Sequence, residues 1–300
     1  MLMFIYLCFF SFTTWASGLF HLTEFPQQEF YLEMGGGIKY TELSSNRELG
    51  KVNFEQEPAV KLLVKGGYLY ERKHLFTVEA DYILTEASES RKGENPVYFE
   101  YNNGFQEPYF EYRYRHRAPS EKDNFLDFFF GVRPSVMDRK IGRNGLDTWI
   151  GRSVANIGIY HGSEVPGSKW EFQTFIQGTR YFAGKEENVR DGVTRKFEPT
   201  HEFRARLSTS YLFLPNTMIY GGVGLTIFGD TNLKSRGEDL TLQRGTASNI
   251  DLGLKHLVRG YVFDLSARRI RHDYFVKADT FSFDGDIESW EIHFTTKKEF

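Results

Sequence analysis

The sequence predicts an all-β fold, one closed antiparallel barrel of about 12 strands, within a range of roughly 10 to 14. Composition, period-two alternation and the lengths of the connections all predict this fold. The 300-residue chain is 17% aromatic, yet its mean hydropathy is −0.45. Its apolar residues are therefore dispersed, unlike the long apolar runs of helical membrane proteins. The formal net charge of −3 gives no electrostatic case for binding nucleic acid.

The first 16 residues predict a cleaved signal peptide. Residues 1–17 carry no charged side chain, and Thr14 and Ala16 supply the small residues of a cleavage site. The prediction divides the chain into a signal peptide (1–16), a lead-in (17–28) and a transmembrane β-barrel (29–300). The single cysteine, Cys8, falls in the signal peptide. The mature chain is therefore expected to lack disulfides and thiolate metal sites.

Apolar and polar residues alternate with the period of a β-strand in segments of about ten residues. The clearest segment is 109–117, where Phe110, Tyr112 and Tyr114 alternate with charged residues. The alternating segments are 30–40, 60–70, 76–84, 109–117, 126–136, 149–159, 170–177, 203–213, 219–227, 250–255, 263–268 and 290–294.

The connections between these segments alternate between long and short. A membrane barrel has short periplasmic turns and longer external loops, whereas a sandwich has no reason for such alternation. The alternation favours a transmembrane barrel, with a water-soluble sandwich or lipocalin-like barrel as the alternative. The long connections are 44–57, 86–107, 138–145, 184–200, 230–245 and 273–289, and the short ones are 71–74, 118–124, 162–168, 214–216 and 258–260.

The last strand ends the sequence in an aromatic residue, Phe300, with Trp290, Ile292 and Phe294 at alternate positions before it. Thr296 and Lys298 depart from this pattern. With these features the sequence resembles a Gram-negative outer-membrane β-barrel protein over essentially the whole mature chain. The resemblance is to the class and to no specific family. It implies a bacterial outer-membrane location, assembly machinery that reads Phe300, and contact with outer-membrane lipids and lipopolysaccharide.

Aromatic residues of the alternating segments are candidates for the girdles that flank the apolar belt of such a barrel. Their rings have an apolar body and a polar edge, which suits the boundary between lipid and water. The candidate girdle residues are Tyr68, Tyr70, Tyr112, Tyr114, Trp170, Tyr211 and Trp290.

The inward positions of the predicted barrel carry charges of both signs. Pairing of neighbouring strands predicts that Glu79 and Asp81 lie beside Arg113 and Arg115. Two non-enzymatic functions remain open: interlocked charges fill the lumen of a loop-presenting scaffold, or the basic residues line a narrow channel for small anionic solutes. No metal or cofactor is expected. The predicted lumen-lining residues are Glu79, Asp81, Arg113, Arg115, Arg117, Arg133, Arg204, Arg206 and Arg268.

An enzymatic alternative rests on a His-x-Ser pair. His161 and Ser163, with Glu171 downstream, resemble the nucleophile and base of outer-membrane lipid hydrolases such as phospholipase A and lipid A deacylases. The asparagine that often follows the serine in those enzymes is missing, and the pair falls at a predicted periplasmic turn. The sequence therefore favours a barrel without catalytic activity.

Overall fold

The structure is a computed structural model. It describes residues 26, 28–45, 52–91, 98–117, 124–135, 139–141, 151–165, 167–188, 193–235, 238–243, 245–278 and 282–300. The predicted signal peptide, 1–16, lies outside these residues.

Every regular element in the described part of the chain is a β-strand. The strands are β1 (Phe30–Ser45), β2 (Val52–Tyr70), β3 (His74–Arg91), β4 (Tyr98–Phe105), β5 (Tyr109–Arg117), β6 (Asn124–Arg133), β7 (Arg139–Ile141), β8 (Arg152–Glu164), β9 (Trp170–Asn188), β10 (Val193–Phe197), β11 (Thr200–Leu214), β12 (Thr217–Phe228), β13 (Thr231–Ser235), β14 (Glu238–Gln243), β15 (Thr246–Val258), β16 (Tyr261–Ala278) and β17 (Ser282–Glu299).

These strands form a closed antiparallel barrel with twelve positions around its wall. Strands β4 and β5 together fill one position, because both pair with β3. The ring closes because β1 pairs with both β2 and β17. Strands β7, β10, β13 and β14 are short additions at one end of the wall. The predicted fold class and strand number are confirmed.

The two ends of the barrel differ as the connection lengths predict. Tight turns join β2 to β3, β11 to β12 and β15 to β16. In the last of these, Arg259 (φ 50°) and Gly260 (φ 79°) both have positive φ, the geometry of the tightest hairpin turns. We call this end of the barrel the turn end and the opposite end the loop end.

At the loop end the strands are longer than the alternation predicts. Strand β3 continues to Arg91 and β9 to Asn188, and β13 and β14 lie within the predicted loop 230–245. Segments such as 88–91 are polar at successive positions, so they lack the alternation that marks a strand with one apolar face. Hydrogen bonding to neighbouring strands orders them nonetheless.

The barrel has apolar side chains outside and polar side chains inside. Large apolar side chains such as Leu62, Ile157 and Leu252 are exposed on the outer face, whereas Asp81 and Asp127 are buried. This is the reverse of a water-soluble domain, and it is the arrangement that a barrel surrounded by lipid requires. Within the described ranges, no helix is long and apolar enough to cross a membrane.

The wall is irregular between β4 and β5. Residues 106–108 add one extra residue opposite β3, as in a β-bulge, while Gln106 N still donates to Asp81 O at 2.8 Å. Glu107 is buried there and accepts a hydrogen bond from Ser135 Oγ at 2.8 Å. This bulge sets the register of β5 against β3.

Candidate functional site: the barrel lumen

The inner face of the barrel is the candidate functional site, because charged side chains from most strands converge there. Buried charges need partners, and ion pairs accordingly join neighbouring strands around the lumen. The side chain of Arg117 lies outside the described part of the chain. The other predicted lumen-lining residues all belong to the inner face: Glu79, Asp81, Arg113, Arg115, Arg133, Arg204, Arg206 and Arg268.

Asp81 is the centre of one group of ion pairs. Its Oδ2 atom lies 3.0 Å from Lys61 Nζ and 3.3 Å from an Arg133 amino nitrogen. The same Arg133 nitrogen lies 3.7 Å from Glu79 Oε1, and its other amino nitrogen donates to Gln106 Oε1 at 2.8 Å. Two carboxylates and two bases from β2, β3 and β6 thus form one network.

The predicted pairing of Glu79 and Asp81 with Arg113 and Arg115 is wrong. The register of β3 with β5 places Leu75, four positions nearer the turn end than Glu79, opposite Arg113. A slip by an even number of residues leaves every side chain on its own face, so alternation alone does not determine this register.

Arg113 and Arg115 point inward but are buried in pairs of their own. Arg113 donates to Glu111 Oε1 at 2.9 Å, and its guanidinium lies 4.3 Å from the centre of the Tyr160 ring. Arg115 donates to both carboxylate oxygens of Asp127, at 2.7 and 2.9 Å. These two arginines are therefore neutralised parts of the wall and do not present charge to open water.

A second group of ion pairs lies across β11, β15, β16, β17 and β1. Arg206 Nε donates to Asp251 Oδ1 at 3.0 Å, and its terminal nitrogen donates to the other carboxylate oxygen. Lys39 Nζ lies 3.3 Å from Glu291 Oε1, and an Arg268 nitrogen lies 4.0 Å from Glu291 Oε2. Bases and acids alternate along this part of the wall.

In four ion pairs of the lumen, the base is the partner that water reaches. Lysine and arginine side chains are longer than those of aspartate and glutamate, so they extend over the carboxylate toward the barrel axis. In Arg133–Glu79 and Lys255–Asp264, both partners are similarly covered. The exposed fractions of base and acid are 44% and 13% in Lys39–Glu291, 38% and 1% in Lys61–Asp81, 44% and 3% in Arg204–Glu202, and 27% and 3% in Arg206–Asp251.

Aromatic rings lie against the inner wall over glycines of the neighbouring strand. A Cβ on Gly158, Gly162 or Gly253 would overlap the ring of Phe129, Phe125 or Tyr220, respectively. Glycine is needed at these positions because the ring lies directly over its backbone. The rings therefore take up little of the bore. Alternation alone does not predict these inward aromatics; the glycines at 158 and 162 on β8 are the signal in the sequence that could identify them.

At the turn end, part of the inner face is apolar and closely packed. Tyr31, Leu69 and Leu75 form a buried cluster, and Lys297 Nζ lies 4.9 Å from the centre of the Tyr31 ring. The lumen thus changes along its axis, from exposed bases in the loop-end half to buried residues, among them this apolar cluster, near the turns.

The predicted girdle residues lie on the outer face of the barrel. Tyr68 packs on Phe30 with ring centres 5.0 Å apart, and Trp170 packs on Tyr211 at 4.8 Å. Near the loop end, Trp290 Nε1 donates to Glu288 Oε1 at 3.1 Å. Tyr68, Tyr70, Tyr112, Tyr114, Trp170 and Tyr211 lie toward the turn end, and Trp290 toward the loop end.

His161, Ser163 and Glu171 do not meet. His161 and Ser163 occupy alternate positions of β8 on the outer face, and Ser163 Oγ donates to the backbone oxygen of Glu164 at 3.4 Å. The Glu171 side chain is buried inside the barrel, next to Gln173 at 3.4 Å. The sheet separates the carboxylate from the other two residues, so a hydrolytic triad is not assembled. Among the described residues, no cluster of histidine and carboxylate side chains could hold a metal ion.

No family model and no curated protein matches the sequence of this chain. Its fold does match solved structures. An outer-membrane channel from Pseudomonas putida F1 superposes with a TM-score of 0.62 at 11% identity, covering 94% of this chain and 99% of that one. The translocator domain of the autotransporter NalP from Neisseria meningitidis superposes with a TM-score of 0.51 at 11% identity, covering 92% of this chain and 90% of that one.

At this level of identity the likeness shows a shared fold. The chain has the fold of outer-membrane β-barrels, so its predicted resemblance to that class is confirmed.

Proposed function

We propose that the chain is a passive channel in a bacterial outer membrane that admits small anionic solutes. The observation that carries the proposal is the exposure pattern of the lumen, where Lys39, Lys61, Arg204 and Arg206 reach water and their acidic partners lie against the wall. A lumen lined by positive charge concentrates anions and repels cations.

The exposure pattern favours a channel over a loop-presenting scaffold. In a filled lumen, the bases would be as covered as Arg113 and Arg115 are. Instead, water reaches the heads of the lumen bases in the loop-end half, and the inward rings of Phe125 and Tyr220 lie over glycines of the wall. The buried cluster that includes Leu75 occupies space on the inner face at the turn end, so only small solutes are expected to pass.

The outer-membrane location is part of the proposal. Its support is the apolar outer face, the fold and the sequence of residues 1–16, which is typical of a cleaved signal peptide. The outer face would contact outer-membrane lipids and lipopolysaccharide, and Phe300 would be read by the barrel assembly machinery. Detection of the protein only in the soluble periplasmic fraction would contradict this location.

The experiment is reconstitution of the refolded full-length barrel in planar bilayers. We expect small conductance steps and, in a KCl gradient, a reversal potential that shows preference for chloride. Replacing both Lys39 and Lys61 by glutamate should shift the reversal potential toward potassium. The control is Arg269→Glu, because Arg269 lies on the outer face beside Trp290 and contributes no charge to the lumen.

Two results would overturn the proposed function. Absence of current from a correctly folded barrel would favour the scaffold. A wild-type preference for potassium would contradict the argument from the exposed bases.

A further inference from the structure

We infer that Arg206, Arg268 and Lys39 form a binding site in the lumen for solutes with two separated carboxylates. The inference rests on the proposed function, because it names the class of anion that the lumen would select. The site lies in the loop-end half, where water reaches the charged heads.

The residues of the site form one row across the wall. Arg268 is the register partner of Asp251 on one side and of Glu291 on the other, and Glu291 is in turn the partner of Lys39. Four adjacent strands, β15, β16, β17 and β1, thus carry acid, base, acid and base at one level. Arg206 reaches Asp251 and adds a base at the free end of the row. The row has three bases and two acids.

Arg268, the middle base, has N–H donors that are not used within the wall. A guanidinium has five N–H donors. Within the described ranges, the Nε atom of Arg268 is buried without a hydrogen-bond partner, and its terminal nitrogen lies 4.0 Å from Glu291 Oε2, beyond hydrogen-bond distance. Its side chain is nevertheless 41% exposed to the lumen. A cation with unused donors in a water-filled lumen is suited to bind a carboxylate through charge-assisted hydrogen bonds.

The wall leaves room for these side chains. Asp251 faces Gly222 on β12, and Ser208 on β11 faces the same glycine from the other side. A Cβ on Gly222 would lie 3.1 Å from Arg206 Nε, so the arginine crosses β12 over the space that a side chain would fill. The absence of a side chain at Gly222 lets Arg206 reach the row, although β11, the strand of Arg206, is two positions away from β15.

The spacing of the bases suits a solute that carries two separated negative charges. Strands lie about 4.8 Å apart, so Arg268 and Lys39, which are two strands apart with Glu291 between them, rise from the wall about 10 Å apart. Arg206 and Arg268 are three strands apart, about 14 Å at the wall. Their long side chains can approach each other over the intervening carboxylate. A short linear dicarboxylate spans such a pair, whereas a solute with one carboxylate engages one base at a time.

The test is calorimetric titration of the refolded full-length barrel in detergent with succinate, acetate and inorganic phosphate. We expect succinate to bind at least about tenfold more tightly than acetate or phosphate, since its second carboxylate adds a charge-assisted contact. Arg268→Gln should weaken succinate binding by about tenfold or more. Asp251→Asn removes one acid from the row and should strengthen binding.

The control variant is Lys255→Gln, because Lys255 is also a lumen base on β15 but lies nearer the turn end, paired with Asp264. Its succinate affinity should stay at the wild-type value. Equal affinity for phosphate and succinate, or an unchanged affinity in folded Arg268→Gln, would overturn the inference. These titrations need no ion flow. A barrel that conducts anions but does not bind succinate refutes this site alone, whereas a barrel without current refutes the channel.

Discussion

The buried pair of Arg115 and Asp127 gives the sharpest stability prediction. Asp127 has no exposed surface and accepts hydrogen bonds of 2.7 and 2.9 Å from Arg115, whose guanidinium lies 5.3 Å from the centre of the Phe125 ring. Asp127→Asn removes the charge and leaves the guanidinium buried. Breaking a buried ion pair in this way costs about 3–5 kcal/mol. Two hydrogen bonds to charged groups, at about 1.5–3 kcal/mol each, give a similar range.

The assay is urea unfolding of the refolded barrel in lipid vesicles, followed by tryptophan fluorescence and by the gel shift between folded and boiled protein. The double variant Arg115→Met with Asp127→Leu removes both charges. Its free energy of unfolding should lie within about 1 kcal/mol of the wild-type value, because apolar residues of similar volume often replace a buried ion pair without loss of stability.

The control is Arg269→Gln, which removes the base of the Arg269–Glu288 pair on the exposed outer face. Its effect on unfolding should be far smaller than that of Asp127→Asn, because solvent screens an exposed pair. A free energy of unfolding of Asp127→Asn within about 1 kcal/mol of the wild-type value would contradict this prediction, and so would a double variant as unstable as the single one.

Three further predictions concern other parts of the wall. Gly253→Ala should displace the Tyr220 ring into the bore, which should lower the single-channel conductance and reduce the free energy of unfolding by about 1–3 kcal/mol. Gly178→Ala, where a Cβ meets no atom within 4 Å, should leave the conductance unchanged. Ile157→Arg puts a charge on the lipid-facing surface and should cost about 2–4 kcal/mol in vesicle unfolding, whereas Ile157→Leu should have little effect. Wild type and Ser163→Ala should both release no fatty acid from phospholipid vesicles, and serine-dependent release would restore the hydrolase alternative.

The alternation in the sequence was sufficient to predict the fold and the sidedness of the strands. Arg206 and Arg268 could be assigned to the inner face because every second residue of a strand shares a face. The same rule could not identify their partners, because a slip of two or four residues preserves every face. Glu79 shows the result: alternation predicts its side of the sheet, but the bases near it are Lys65, its register partner on β2, and Arg133 on β6 at 3.7 Å.

The row that forms the proposed binding site depends on pairings that local sequence does not encode. Lys39 meets Glu291 only because the first strand pairs with the last one. Arg206 meets Asp251 only because a glycine occupies position 222 on the strand between them. The exposure of the bases follows from side-chain length once these pairs are known, but the pairs themselves are set by the closed barrel.

The seam between β1 and β17 has a consequence for how the protein is made. It pairs Tyr31 with Glu299 and continues to Ser45 with Gly285, and Phe300 N donates to Phe30 O at 2.8 Å. Contacts between opposite ends of a chain form late, because the loop they close is long. Until the last strand arrives, the first strand keeps an unpaired edge that can bind other chains. A barrel that lacks only its final strand would therefore present an open edge of β1 to which another chain could pair.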